Sequence, residues 1–317
     1  MADKPTIHIL GPGALGSLWA AKLSHDNEVI LLVKPDVNKS LSPKHHSFQF
    51  INQNEATTIT LPCEGSSTLP WEDGTPFSLN DTPIDTLLVF TKSYDTLKAV
   101  QQLTSRIIPS SRIVLFQNGM GSQQEVTQLL FNNTVYAAST TEGANRPDKQ
   151  TVIYAGKGET WVGPISNKQS QLDAEKLSAL LSSSGLNVSS SDNIWEKLWL
   201  KLAINCAINP FTALLDCKNG ELIGQTLFDS NITPLCNELS EAMLVNGVTV
   251  SASELQSKVI DVIKKTHQNI SSMLQDVRAG KQTEIEYING YIEQIAQQNN
   301  RKFPTNLFLL EEVKRRF

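Results

Sequence analysis

Charge of one sign, clustered cysteine and long hydrophobic runs are what this 317-residue chain has least of. Its 27 Lys and Arg stand against 32 Asp and Glu, a formal net charge of -5 with the signs interspersed. That balance supplies no broad basic face, so a nucleic-acid partner is not expected. Only four cysteines occur, Cys63, Cys206, Cys217 and Cys236, with no Cys-x-x-Cys spacing. Such usage suits a reducing cytosol better than a disulfide framework, and no metal site is expected. The longest uncharged apolar run, Leu202 to Leu215, is interrupted by Asn205, Asn209 and Pro210. It is expected to be too short to span a bilayer. The first residues lack the basic start and apolar stretch of a secretory signal, so a cytoplasmic protein with no membrane partner is expected. No internal repeat or low-complexity tract is visible, and a prior of roughly 150 residues per domain suggests two domains.

What is present is an unusual helix pattern from Trp195 to Pro210. Trp195, Leu198, Trp199, Leu202, Ala203, Ile204, Cys206, Ala207 and Ile208 would bury a helix on nearly every side, yet Lys197, Lys201, Asn205 and Asn209 recur every four residues. This spacing stacks them as one polar stripe. Cations and amides on an apolar helix cost free energy unless partnered, so the stripe must face a polar cleft, another polar segment or a ligand. The plainer alternative is that the lysines snorkel outward and the amides satisfy nearby backbone. Pro210 should end the helix.

At the other end, the β-rich run Thr6 to Leu10 passes into Gly11-Pro12-Gly13-Ala14-Leu15-Gly16 and then a helical stretch. Gly-x-Gly-x-x-Gly between a first strand and a helix is a dinucleotide fingerprint: a tight turn at Gly11, close phosphate approach at Gly13, close packing at Gly16. The second strand, Val29 to Val33, ends at Lys34, where an NAD site would place an acid to read the ribose. A cation there suits the 2′-phosphate of NADP, unless Asp36 does the reading. Lys92 follows a buried-type strand, Asp85 to Thr91, and Asn118-Gly119 follows another, Ile113 to Gln117. Both sit at the carboxyl edge where ligands of parallel sheets bind, although a surface lysine and a plain turn would look the same. Further strands are expected at Val135 to Thr140, Thr151 to Ala155 and Glu159 to Val162. Ser47 to Ile51 and Thr57 to Leu61 are β-branched stretches from which no chemistry can be read.

Beyond about residue 190 the periodicity is helical, over 215–228, 231–246, 252–275 and 282–299. The fold class expected is α/β: an N-terminal Rossmann-type dinucleotide-binding domain over 1–190, then an all-helical C-terminal domain over 191–317. Within it, Asn269, Ser272 and Asp276 are spaced to share a helical face, and Glu284 opens a helix with Ile285, Ile288 and Ile292 on its apolar side. The plainer alternative is that Glu284 only favours the helix dipole and Thr283 only caps.

Taken together, Gly11 to Gly16, Lys92, Asn118-Gly119-Met120-Gly121, Lys201 to Pro210, Asn219 to Leu222, Ser271 to Asp276 and Thr283 to Gly290 resemble the ketopantoate reductase family over nearly the whole chain. The resemblance implies a two-domain enzyme that reduces 2-dehydropantoate to (R)-pantoate with NADPH, on the route to pantothenate and coenzyme A. It assigns Lys201 as the catalytic lysine and Asn118, Asn205, Asn209, Asn269, Ser272 and Glu284 to the substrate. Gly11, Pro12, Gly13, Ala14, Leu15, Gly16, Lys34, Lys92 and Asn118 then fall to the cofactor. Where Lys34 stands an arginine is common; lysine keeps the charge but loses the bidentate fork, so NADP selectivity is expected to be weaker.

Hydride addition to a ketone leaves negative charge on oxygen, and a lysine in a partly desolvated cleft is suited to supply the proton. Lys201 is therefore expected to be the general acid, with Glu284 orienting it or holding a substrate hydroxyl. A small-molecule keto acid is the expected partner, and the assembly a monomer or homodimer. Two rival readings are a reductase of another small 2-keto acid and a non-catalytic NADP-binding sensor.

Overall fold

A computed structural model describes residues 4–34, 45–53, 55–66, 82–166 and 171–317. The chain divides into two compact units: Met1–Gln117 with Ser122–Ile194, and Asn118–Gly121 with Trp195–Phe317. Asp36 lies outside the described residues.

β-Branched and aliphatic runs punctuated by glycine and polar turns set the strands of the first unit. In order it holds β1 (Thr6–Leu10), α1 (Ala14–Leu23), β2 (Glu28–Val33), β3 (His45–Asn52), β4 (Glu55–Gly65), β5 (Ile84–Val89), α2 (Ser93–Gln101), β6 (Ile107–Leu115), α3 (Ser122–Leu129), β7 (Thr134–Thr140), β8 (Gly143–Asn145), β9 (Thr151–Gly156), β10 (Thr160–Pro164), α4 (Gln171–Ser182) and β11 (Val188–Ser190). β4, β2, β1, β5, β6 and β7 lie side by side and all parallel. Counted as they enter this run, their order is 3-2-1-4-5-6, the doubly wound arrangement whose strand order reverses between β1 and β5. The β-branched stretches at 47–51 and 57–61 are a hairpin, β3 with the first part of β4. Its far edge continues through β9 to β8.

The central strands β1, β5 and β7 are buried over most of their length, on both faces, as a parallel sheet requires. Ile7, Ile9, Leu31, Leu88 and Val114 are fully enclosed with Trp19 and Leu18 of α1. Trp19 packs on Phe116 at 5.2 Å between ring centroids, and Phe116 stacks on Phe90 at 4.2 Å. Such pairs contribute about 1 kcal/mol each beyond burial, and they fix α1 over the strand ends.

Arg106 is a charged group buried in this unit. Arg106 donates to the Glu64 carboxylate at 2.8 Å and to the Thr82 carbonyl at 3.0 Å. Its second amino group faces His8 Nε2 at 3.3 Å. Because a guanidinium only donates, that nitrogen must carry the lone pair, and the His8 imidazole must be neutral. Burial, and after it the Arg106 cation, hold His8 down at about 4 from its ordinary 6.5. Above pH 6.5 the group is neutral in both the folded and unfolded chain; below it the unfolded chain takes up a proton that the folded chain refuses. Folding stability should therefore fall by on the order of 3 kcal/mol between pH 6.5 and 4 through this residue. Urea unfolding of the wild type and His8→Leu at three pH values checks this: the variant should lose that part of the slope, and an equally steep variant would contradict it.

The second unit is helical: α5 (Ile194–Leu215, with its first residue still in the first unit), α6 (Thr226–Val245), α7 (Ala252–Lys265), α8 (Ser272–Arg278), α9 (Ile285–Gln298) and α10 (Pro304–Arg316). α5 does not stop at Pro210 but carries it inside and continues to Leu215. A proline costs about 3 kcal/mol in a helix interior, so packing must outweigh it. Phe211 on the far side of the proline is fully buried and meets Phe228 edge-on at 5.2 Å. At 22 residues α5 is long and apolar enough to cross a membrane, but 72% of its apolar window is buried inside the protein, as a core helix is.

Two expected helices are also cut differently. Residues 219–221 form a 3-10 turn instead of a helix, and α6 begins only at Thr226. The single helix expected over 252–275 breaks after Lys265, because the carbonyls of His267 and Asn269 receive the amides of Gly220 and Asn219 at 3.1 and 3.0 Å. Ser271 then caps α8 through its hydroxyl on the Leu274 amide. α10 lies beyond the last helix the periodicity indicated. Its first amides, Thr305 and Asn306, are received by the buried Glu238 carboxylate at 2.8 Å each. The four cysteines are buried.

Candidate active site

The fingerprint turn sits after β1, beside the point where the strand order reverses. Gly11 has a φ of +81°, and a Cβ there would lie 2.8 Å from the Thr91 amide. At Gly16 a Cβ would meet the Gly11 carbonyl at 2.6 Å. Gly13 differs: a Cβ there would meet only the Gly11 carbonyl, at 4.0 Å. The turn is thus closed against the protein at its first and third glycines and open at its second, as a phosphate cradle must be. α1 begins at Ala14 with no acidic residue in its first turn and no side-chain cap, so its leading amides and positive dipole end stay available to an anion. The glycine turn fits a dinucleotide diphosphate.

Lys34 stands at the end of β2 with its side chain 76% exposed, 3.1 Å from the Asp95 carboxylate of α2. Lys92 caps α2, its carbonyl receiving the Asp95 amide and the Thr96 hydroxyl, both at 2.9 Å. Gln117, at the end of β6, donates to the Val89 and Thr91 carbonyls and ties the ends of β5 and β6 together.

The remaining candidates fall in the helical unit. Lys201, Asn205 and Asn209 occupy successive turns of α5; the first two are half-buried and Asn209 is 5% exposed. Glu284, also 5% exposed, is the residue before α9. Burial pushes the Lys201 ammonium down to about 8 from 10.5, and the Glu284 carboxylate pulls it part of the way back. A lysine at that balance loses its proton near neutral pH while keeping an anion at hand. Farther along α5 the Thr212 hydroxyl is 2.7 Å from that of Ser271, which places half-buried Ser272 beside the same helix.

Asn118 enters this unit from the sequence of the other. The amide of Met120 donates to the Tyr287 carbonyl at 2.8 Å. Gly119 lies so close to α9 that a Cβ would be 2.6 Å from the same carbonyl. The Asn118–Gly121 turn is therefore pinned to the helix that Glu284 opens. Asn269 does not share a helical face with Ser272 and Asp276: it is exposed, in the break between α7 and α8. Sequence reasoning missed the anchoring role of Tyr287, for which the two glycines at 119 and 121 were the available signal. It also missed Asp95 as the partner of Lys34, and Arg146, whose guanidinium rests on the Pro12 carbonyl of the glycine turn. Nothing in one sequence marks those two.

Residues 7–167 match the family described as ketopantoate reductase PanE/ApbA, and residues 193–316 match its C-terminal part. The chain belongs to the ketopantoate reductase family. It is 35% identical over 314 residues to the 2-dehydropantoate 2-reductase of Salmonella typhimurium, spanning 98% of this chain and 94% of that protein. Among solved structures the fold is shared with D-mandelate dehydrogenase in complex with NADH and anilino(oxo)acetate, at a TM-score of 0.87 and 24% identity over 98% of this chain and 97% of that one. It is shared too with a dimeric ketopantoate reductase from Staphylococcus aureus, at a TM-score of 0.77 and 18% identity over 98% and 97% of the two chains.

The pinned turn makes a test. Gly119→Ala forces the Tyr287 backbone or the turn to move, at a cost of about 1–3 kcal/mol. Thermal unfolding should show a midpoint several degrees lower; an unchanged midpoint would mean that the turn is not held against α9.

Proposed function

We propose that the chain reduces 2-dehydropantoate to (R)-pantoate with NADPH, with Lys201 as general acid. The observation that carries the reading is a half-buried lysine whose pKa is lowered to about 8 with Glu284 as its electrostatic partner, on a helix that offers two amides on the following turns.

The glycine turn and the leading amides of α1 hold the diphosphate, and Lys34 and Lys92 offer cations at the ends of β2 and β5. When bound, the dinucleotide supplies the hydride. The chain's part is to receive the charge that appears on the ketone oxygen. Lys201 gives that oxygen its proton, so that carbonyl carbon and oxygen gain one hydrogen each and the product leaves as an alcohol. Protonated Lys201 also attracts the oxygen before transfer, which favours the transition state over the bound ketone. Glu284 keeps the amine charged between turnovers or accepts a substrate hydroxyl. Asn118, Asn205, Asn209 and Ser272 are neutral donors and acceptors suited to a small hydroxylated acid, with exposed Asn269 at the margin.

The preference for NADPH rests on Lys34. Being mostly exposed, it turns to a phosphate with little desolvation, although Asp95 competes for it. The four unbridged cysteines support a cytoplasmic location, and the assembly is read as a monomer or homodimer.

Reduced-nicotinamide absorbance, followed with NADPH and NADH on a panel of small 2-keto acids, tests the reading. Turnover should be fastest for 2-dehydropantoate with NADPH, and kcat should decline as pH rises above about 8, where the acid is lost. Lys201→Ala should lower kcat by roughly 10²- to 10⁴-fold with NADPH binding unchanged. Near-normal turnover of that variant would remove Lys201 from its role, and faster turnover of another acid would replace the substrate.

A further inference from the structure

The segment from Thr140 to Lys149 carries no assignment so far, yet it reaches the glycine turn. β8 pairs antiparallel with β9, which runs parallel to β3, so this corner of the sheet ends beside α1. Lys22 of α1 lies over the rings of Tyr154 and Phe50 at 5.5 and 5.9 Å. The Tyr154 hydroxyl donates to the buried Glu142 carboxylate at 2.7 Å, and the Gly158 amide donates to the same carboxylate at 3.0 Å.

Directly after β8, Arg146 donates through one amino group to the Pro12 carbonyl and through the other to the Lys149 carbonyl at 2.7 Å. The Pro12 carbonyl already accepts from the Ser17 hydroxyl at 3.0 Å, so it does not need a second donor to be satisfied. Arg146 gains little for itself: it is half-buried, and its Nε is enclosed with no hydrogen-bond partner. Two donors on one carbonyl, Ser17 and Arg146, instead restrain the plane of the Pro12–Gly13 peptide. That plane sets where Ala14, Leu15 and Gly16 aim their amides, the groups with no partner inside the helix.

We infer that Arg146 is a positioning residue for the cofactor diphosphate, holding the glycine turn in its receiving shape and adding a fixed positive charge behind it. The inference rests on the dinucleotide reading given above. A second consequence is electrostatic: a guanidinium against the turn favours a dianionic ligand at a site where α1 offers only its dipole.

The test is NADPH binding to the full chain without substrate, followed by fluorescence titration, for wild type, Arg146→Ala and Arg146→Lys. Arg146→Ala should raise Kd about tenfold, with kcat at saturating NADPH within about twofold of wild type. Arg146→Lys, which keeps the charge but loses the planar fork, should recover part of the loss. Amide hydrogen exchange at residues 14–16 should quicken in the Ala variant. An unchanged Kd in folded Arg146→Ala would overturn the inference, as would a lowered thermal midpoint in that variant with Kd unmoved, which is the mark of a purely structural arginine. Wild-type protein that bound neither NADPH nor NADH would overturn the dinucleotide reading along with it, whereas wild-type binding that Arg146→Ala leaves intact overturns this inference alone.

Discussion

The Lys201 ammonium is held between two opposed effects. Enclosure in protein disfavours its charge, and the Glu284 carboxylate favours it, with enclosure the larger of the two. Much of the helical unit can be understood as what keeps these effects in place. α5 carries the lysine, and tolerating Pro210 in its interior lets Phe211 bury against Phe228 and Thr212 reach Ser271. The start of α9 carries the carboxylate, and α9 is braced in turn by the exchange of amides between Asn289 and Asn306 and by Glu238 capping α10. A buried capping carboxylate is stable only while both amides face it, so the helices around α9 are fixed by polar geometry as well as by apolar packing.

The nucleotide unit depends on a different constraint, steric rather than electrostatic. Adjacent parallel strands bring the residues that follow β1 and β5 so close that the first and third glycines of the turn after β1 have no room for a side chain. The second position has room. That asymmetry gives the fingerprint its meaning, since a glycine-rich turn without the crowding would be only flexible. Ser17 and Arg146 then hold the turn by its Pro12 carbonyl.

Much of this was legible in the sequence. The parallel sheet showed as aliphatic runs, the fingerprint as spaced glycines, and the stripe on α5 as a period of four, because each is a local pattern that one chain segment displays alone. What was hidden depends on segments far apart. The break at 266–271 follows from carbonyls engaged by Asn219 and Gly220, about fifty residues earlier. The persistence of α5 through Pro210 follows from aromatic packing on α6. Asn269 and Ser272 carry the spacing of one helical face, and only those distant hydrogen bonds separate them. Arg146 and Asp95 look like ordinary surface charges until the fold brings them to Pro12 and Lys34.

The most direct measure of the account is the titration of Lys201 itself, by NMR of the selectively labelled lysine amine in the free protein. A midpoint near 8 in the wild type, moving lower in Glu284→Gln because the attracting charge is gone, is the result expected. A midpoint near the ordinary 10.5, indifferent to residue 284, would mean that the amine is neither desolvated nor coupled to Glu284, and the general-acid assignment would lose its physical basis.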